Sequence, residues 1–381
     1  MALNYIIWNI KPQLVDLGRF EIRYYSILFA LGFVFGYIIL LRIFKKEGYS
    51  AELLDKLTIY MVISTIIGAR LGHCLFYEFD YYMQHPLEII LPWRGTLGDD
   101  FEFTGFQGLA SHGAAIGILT GIWLFARKTK TSYLWALDLI VIVAALSGAL
   151  IRTGNLMNSE IYGKPTGNHH GFVFVRDFTH LLTYGDADKT IKEVHYQKAA
   201  ADSATPVNAV PLDLKIGLSN KIKNESVARE FTDKVVSFAL FKREYQDNIV
   251  HPDIPALTLK DEKIGRNFIM TARVYGIPRH PSQLYEAGSY LLIFLLLLWI
   301  YSRYKPYLRE GFILGAFFFL VFTARFFIEF VKENQEAFEQ GLTLNMGQLL
   351  SIPFVVIGII LMVVRRPKKK EALNETSPSS S

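Results

Sequence analysis

The sequence predicts an all-α polytopic membrane protein of about seven transmembrane helices, with its N-terminus outside, its C-terminus cytoplasmic and a soluble extracytoplasmic insertion. Three observations carry that expectation. The chain is 51% hydrophobic with a mean hydropathy of +0.25, more apolar than a soluble chain of 381 residues. Seven separate stretches approach the roughly 20 apolar residues that cross a bilayer. Basic clusters flank these stretches at every second connection.

The first stretch, residues 25–41, carries no charge, and Arg42, Lys45 and Lys46 follow it. The second, 57–77, is apolar except for Arg70 and His73, and the connection after it is acidic: Glu78, Asp80, Glu88, Asp99, Asp100 and Glu102 stand against Arg94. The third, 105–126, holds His112 and leads to Arg127, Lys128 and Lys130. The fourth, 133–151, holds only Asp138. The fifth, 283–302, begins near Glu286 and ends before Arg303, Lys305 and Arg309. The sixth, 311–331, is apolar until Arg325 and Glu329, and Glu333, Glu336 and Glu339 follow it against Lys332. The seventh, 344–364, tolerates Pro353 and runs into Arg365, Arg366 and Lys368–Lys370. The alternation requires an odd number of spans, which sets the two termini on opposite sides.

Residues 164–270 are polar, mixed in charge and free of a span-length apolar run. They divide the membrane part into 1–163, with four spans, and 271–366, with three. Within them GFVFVRDF reads as a strand, and SVAREFTDKVVSFALFKREY has a helical apolar period. His169 and His170 read as a solvated loop pair, since no further ligands stand at metal-binding spacing. Residues 367–381 read as a disordered cytoplasmic tail. The opening segment is too short and interrupted to be a cleaved leader. The single cysteine, Cys74, excludes a disulfide framework and reads as a small buried hydrophobe. The net charge of +5 fits cytoplasmic loops beside anionic lipid and not a nucleic-acid partner.

Ionisable groups inside spans cost about 2.5–3.5 kcal/mol each on insertion scales, so they mark where function is sought. Arg325 and Glu329 stand four apart on one helix and can pair with each other. Asp138 lies near the cytoplasmic start of its span, where water reaches it, and reads as structural. The densest polar run is IRTGNLMNSEIYG, 151–163. If helical, Arg152, Asn155 and Asn158 share a face, with Glu160 and Gly163 beyond it. A snorkelling arginine explains Arg152 alone but not the amides and carboxylate beside it. The second cluster is PRHPSQLYE, 278–286. Pro281 suits a first helical turn, whose free N–H groups attract an anion. Arg279 beside it carries a planar fork that matches phosphate, with His280, Gln283 and Tyr285 close in sequence. In ASHGAAIG, His112 stands among small residues and reads equally as a satisfied core group or as a base. All three features fall at the outer face, and two arginines, a histidine and several amides there suit an anionic lipid headgroup.

These runs together resemble the phosphatidylglycerol–prolipoprotein diacylglyceryl transferase family. The family signature Gly-Arg-x-Gly-Asn-Phe-x-Asn-x-Glu-x-x-Gly is matched at Arg152, Gly154, Asn155, Asn158, Glu160 and Gly163, with Ile151 and Leu156 in place of its Gly and Phe. RHPSQLYE at 279–286 is similar to a second hallmark. SHG at 111–113 resembles the family's His-Gly-Gly, with Ala114 replacing the second Gly. RYYSILFALGF puts Tyr25 at the functional tyrosine, and GARLGHCLFY, TARFFIEF and NMGQLLSIP also fit. The likeness covers most of residues 10–365 except about 164–270, where family members usually have a shorter connection. It implies that a diacylglyceryl group passes from phosphatidylglycerol to the lipobox cysteine thiol of a prolipoprotein, forming a thioether and releasing glycerol-1-phosphate, with no cofactor, at the outer leaflet of a bacterial inner membrane. It implies that Arg152 and Arg279 hold the phosphoglycerol headgroup, that His112 and Tyr25 orient or deprotonate, and that Asn155, Asn158, Glu160, Gly163, His280 and Gln283 shape the substrate site. A transporter would show matching repeats, which the four-to-three division lacks. A lipid-binding scaffold would need the same headgroup site without a base.

The charge alternation predicts that cysteine labels at positions 224 and 369 react from opposite sides of sealed vesicles. Reaction from one side at both positions would contradict the seven-span topology.

Overall fold

A computed structural model of the chain describes residues 4–16, 21–91, 93–94, 102–103, 108, 110–183, 186, 188–242, 248–252, 259–264, 267–333 and 343–364. The expected tail at 367–381, and Asp99, Asp100, Glu336 and Glu339 of the acidic connections, lie outside the described residues. In chain order come strands β1 (Tyr5–Trp8), β2 (Gln13–Asp16) and β3 (Glu21–Arg23), then helices α1 (Tyr24–Glu47), α2 (Ala51–Phe76) and α3 (Phe79–Gln84). Strands β4 (Trp93–Arg94) and β5 (Glu102–Phe103) precede α4 (Ser111–Thr129) and α5 (Tyr133–Met157). Then follow β6 (Gly171–Phe174), α6 (Arg176–Thr183), β7 (Ile191–Lys198), β8 (Val210–Leu218), α7 (Glu225–Phe241), β9 (Ile249–Val250), β10 (Leu259–Ile264) and β11 (Asn267–Gly276). Helices α8 (Ser282–Tyr304), α9 (Phe312–Ile328) and α10 (Met346–Val363) complete the chain.

Long helices occupy all seven expected stretches. Five of them, α1, α2, α5, α8 and α10, are long and apolar enough to cross a membrane; α4 and α9 are shorter or more polar. The protein is thus a mostly helical, polytopic membrane protein. The all-α expectation is corrected by four sheets among the described residues: a five-stranded one between α5 and α8, and the two-stranded pairs β1-β6, β2-β3 and β4-β5. The third stretch also begins later than expected, at Ser111.

Two compact units divide the described chain. The first comprises residues 1–30, 149–289 and 324–352. Its sheet runs β10-β11-β8-β7, all antiparallel, with β9 also pairing β11. Alternation makes this sheet: Phe268, Met270, Ala272 and Val274 of β11 and Leu212, Leu214, Ile216 and Leu218 of β8 are buried. Helix α7 lays Ala228, Val236, Ala239 and Leu240 into the same core. Asn224 caps α7, its side chain accepting from the Ser226 N–H at 3.2 Å. Strand β1 from the N-terminus pairs in parallel with β6 and contributes Tyr5, whose hydroxyl donates to the Pro211 carbonyl at 2.8 Å. Burial pushes the Tyr5 phenol up to about 12.

The second unit comprises residues 31–148, 290–323 and 353–381. Helices α2 and α4 approach along a glycine seam. A Cβ added at Gly72 would lie 2.6 Å from the Gly113 Cα, and one at Gly117 3.0 Å from the Gly68 Cα. Close backbone packing of this kind replaces the hydrophobic drive that lipid surroundings remove. Asp138 is buried at 5% exposure. Its carboxylate accepts from Gly311 N–H at 2.6 Å and Leu314 N–H at 2.7 Å, capping the start of α9. Its role is structural, but water access is not the reason. Arg70 donates to the carbonyls of Glu88 at 2.6 Å and Ile89 at 3.0 Å and lies over the Tyr82 ring, so it braces the loop after α3.

The seam predicts that Gly72→Leu destabilises the protein by about 1–3 kcal/mol or more through overpacking. Gly288→Ala, where an added Cβ meets nothing within 4 Å, should be neutral or gain up to about 1 kcal/mol from helix propensity. Thermal unfolding in detergent separates the two; equal midpoints for Gly72→Leu and the parent would contradict the seam.

Candidate functional site

The site is built at the end of α5. Arg152 and Asn155 lie in its last turns, and the Asn158 N–H still bonds to the Gly154 carbonyl at 3.0 Å. There the helix stops, because Ser159 and Ile161 adopt left-handed φ of 53° and 58°. A β-branched residue in that region is strained and must be held by its surroundings. The holding groups come from afar. Trp8 of β1 donates its indole N–H to the Leu156 carbonyl at 2.9 Å, and Arg176 of α6 donates to the Asn158 carbonyl. The Leu156 carbonyl also accepts from the Ser159 N–H at 2.9 Å, whereas the Asn158 carbonyl is one that a helix end leaves without an intrahelical donor.

Glu160 is the meeting point of the two polar runs. Its Oε1 accepts from Asn155 Nδ2 at 2.7 Å and Asn158 Nδ2 at 3.2 Å. Its backbone carbonyl accepts from Gln283 Nε2 at 2.7 Å, across a sequence separation of 123. Ser282 Oγ donates to the Ile161 carbonyl at 2.9 Å. The Gly163 N–H donates to the His280 carbonyl at 2.8 Å, and a Cβ at Gly163 would come 2.8 Å from that carbonyl and from the His280 Cβ, so glycine is required. The His280 Nδ1 and the Tyr285 hydroxyl lie 3.3 Å apart. Among the described residues, Asn158 Oδ1 and Gln283 Oε1 are buried acceptors without a hydrogen-bond partner.

A chain of charges fixes the arginine. Arg152 Nε stands 2.9 Å from Glu286 Oε2, and that carboxylate is fully buried. Lys332, itself 3% exposed, places Nζ 3.6 Å from Glu286 Oε1 and 3.2 Å from Glu329 Oε1. Glu329 also faces Arg325 Nε at 3.5 Å and Asn345 Nδ2 at 3.3 Å. Asn345 and Gln348 bond reciprocally through side chain and backbone, a capping box that starts α10. The expected Arg325–Glu329 pair is therefore present as one link of a longer network.

Arg279 is 2% exposed. Its Nη1 donates to Glu333 Oε2 at 2.8 Å and to the Gly163 carbonyl at 3.3 Å, and its guanidinium lies 5.0 Å from the Tyr162 ring centre. Beside it a cavity of about 420 Å³ is lined by Ser159, Glu160, Ile161, Tyr162, Asp177, Lys332 and Glu333. Burial pushes the Asp177 carboxyl above its ordinary range, against the opposing pull of Arg176 and His180. Burial likewise raises the Tyr162 phenol, while the bond from Asn248 and the Arg279 charge act the other way.

The first unit thus gathers Arg152, Asn155, Asn158, Glu160, Gly163, Arg279, His280 and Gln283 through direct contacts. Tyr25, in the first turn of α1, packs on Gly154, where an added Cβ would lie 2.8 Å from its ring. His112 belongs to the second unit, exposed in the first turn of α4 beside the glycine seam. Sequence reasoning left Lys332, Glu333, Arg176, Asp177 and Ser282 out of the site. Lys332 and Glu333 entered it only as loop charges, and the segment 164–270 held no motif. Among the described residues, no group of three or more His, Cys, Asp or Glu side chains is placed to hold a metal ion.

A fixed guanidinium, partly exposed and flanked by amides, can receive an anion while its other edge stays paired. Comparison with known proteins bears on which anion. The family model described as prolipoprotein diacylglyceryl transferase matches residues 12–364. Phosphatidylglycerol–prolipoprotein diacylglyceryl transferases are similar to the chain in Bacteroides fragilis, at 33% identity over 96% of both chains, and in Tolumonas auensis, at 34% over 96% of this chain and 99% of the relative. That of Chloroherpeton thalassium is 32% identical over 98% of each. These relatives match at nearly full length on both sides, so the span of likeness runs through 164–270 as well, where the sequence reading left a gap.

Proposed function

The chain belongs to the prolipoprotein diacylglyceryl transferase family, and on that premise we propose that the cluster around Arg152 and Glu160 is where its reaction takes place. The enzyme transfers a diacylglyceryl group from phosphatidylglycerol to prolipoprotein, the first step of lipoprotein maturation. The acceptor is the thiol of the lipobox cysteine. Such a thiol, with a pKa of about 8.5, gives up its proton before attack. The thiolate attacks the glycerol carbon that bears the phosphate ester; a C–S bond forms, the C–O bond breaks, and glycerol-1-phosphate leaves with the electron pair. The enzyme's own Cys74 is buried and takes no part.

The observation that carries this reading is the joining of the two polar runs at Glu160 and at the Arg152–Glu286 pair. Arg152 and Arg279 hold the phosphate, and fixed cations there stabilise charge as it develops on the leaving group. Phosphate takes the place of the Glu333 carboxylate on Arg279. The buried acceptors Asn158 Oδ1 and Gln283 Oε1 suit the hydroxyls of the terminal glycerol. Asn155 and Glu160 set the floor, and Gly163 and His280 its edge. His112 and Tyr25 orient or deprotonate the thiol. The chain crosses a bacterial inner membrane seven times, N-terminus outside, and the site faces the outer leaflet. Residues 164–270 form an extracytoplasmic insertion between membrane parts 1–163 and 271–366, and 367–381 are a cytoplasmic tail.

Purified protein with phosphatidylglycerol and a lipobox peptide should yield a peptide heavier by one diacylglyceryl group in mass spectrometry. Lysine offers a point charge where guanidinium offers paired donors. Arg152→Lys and Arg279→Lys should each lower transfer by about one to three orders of magnitude, at about 1.4 kcal/mol per factor of ten. Arg127→Lys, far along α4 from His112, should be nearly silent. Parental rates in both Arg152→Lys and Arg279→Lys would overturn the headgroup assignment.

A further inference from the structure

Lys332 stands outside both signature runs, yet its backbone is tied to one of them. It forms a β-bridge with Gly163, and the Lys164 N–H donates to the neighbouring Val331 carbonyl at 2.8 Å. Its side chain is 4% exposed and lies between the two buried carboxylates, 3.6 Å from Glu286 and 3.2 Å from Glu329. A lysine is rarely buried to this degree unless paired, and burying one has a desolvation cost that only close carboxylates offset.

The consequence concerns Arg152. Taken alone, Arg152 and Glu286 form a neutral pair, and a neutral pair attracts an anion weakly. Lys332 shares the Glu286 carboxylate through its other oxygen, so that carboxylate is divided between two cations. With Glu329 and Arg325 included, three cations face two carboxylates, and these five ion-paired groups carry one net positive charge among themselves. Without Lys332 the remaining four charges cancel. In a water-poor site, where charges interact far more strongly than in bulk, that difference is felt by a phosphate at Arg152.

We propose that Lys332 is a positioning residue for the transfer reaction: by sharing Glu286 and Glu329 it holds the Glu286 carboxylate against Arg152 Nε and leaves the Arg152 guanidinium with the net charge that binds the anionic headgroup. The inference rests on the assignment of Arg152 to that headgroup. It does not require Lys332 to touch the lipid.

The test compares full-length Lys332→Met, Lys332→Arg and Arg152→Lys with the parent, by initial rates with phosphatidylglycerol and a lipobox peptide varied separately. Lys332→Met should raise the KM for phosphatidylglycerol about tenfold or more, equivalent to about 1.4 kcal/mol of lost binding. The KM for the peptide should stay within about twofold of the parent, and Lys332→Arg should restore the lipid KM to within about threefold. A purely structural lysine would lower the amount of active enzyme, hence kcat, and leave both KM values in place. If Lys332→Met does not fold, Lys332→Gln, which keeps a donor but no charge, carries the same expectation. An unchanged lipid KM, a parallel rise for both substrates, or failure of arginine to restore would each overturn the proposal. Arg152→Lys separates the two levels: if it too leaves transfer unchanged, the headgroup assignment itself falls, whereas a damaged Arg152→Lys beside an unaffected Lys332→Met removes only the role of Lys332.

Discussion

The guanidinium of Arg152 and the carboxylate of Glu286 meet 2.9 Å apart with the carboxylate fully out of water. Removing such charges from solvent costs several kcal/mol per ion, and their attraction offsets this only when geometry is held closely. The rest of the first unit can be understood as the means of holding it. Glu286 is set by the second turn of α8, whose start is tied to the Arg152 run through Ser282 and Gln283. Arg152 is set by the last turns of α5, whose end also receives bonds from Trp8 at the Leu156 carbonyl and Arg176 at the Asn158 carbonyl. Lys332 and Glu329 then balance the second oxygen of the pair from the turn after α9.

Side chains of β1 and α6 link the sheet-bearing segment to the end of α5. The left-handed Ser159 and Ile161 end the helix, while the carbonyls of Gly154, Asn155 and Leu156 still accept from the N–H groups of Asn158, Glu160 and Ser159. Strand β1 pairs with β6, and helix α6 follows β6 directly, so Trp8 and Arg176 are delivered to the helix end by one packed element. The sheet's own core, built on β8 and β11, gives that element a rigid base. The glycine seam between α2 and α4 serves a comparable purpose in the second unit, fixing the helix whose first turn carries His112.

The long helices were legible because apolar length is a strong signal, but their ends were not. Helix α1 continues to Glu47, six residues past its last apolar stretch, since hydropathy reports lipid contact and not helical hydrogen bonding. Alternation of apolar with other residues was present through VPLDLKIGL and over Met270–Val274 of NFIMTARVYG, and both proved to be strands that bury those alternate apolar residues. They went unread because each lies in a polar segment, where a period of two competes with mixed charge. Asp138 was read as structural, but the reason could not be read from its neighbours, because the N–H groups it caps lie 173 and 176 positions away. The polar residues of the candidate site were legible as two runs and a resemblance. That Glu160 joins them, and that Lys332 and Glu333 belong with them, depends on tertiary contacts no local pattern encodes.

The central claim is that Arg152, held by the buried charge network, receives the phosphate of phosphatidylglycerol. A structure of the protein in lipid nanodiscs containing phosphatidylglycerol, determined by electron cryomicroscopy, tests it most directly. The account predicts headgroup phosphate density within about 3 Å of the Arg152 guanidinium, a charge-assisted hydrogen-bond distance, with the Glu286 ion pair intact. Headgroup density bound elsewhere, with Arg152 enclosed by protein alone, would contradict it.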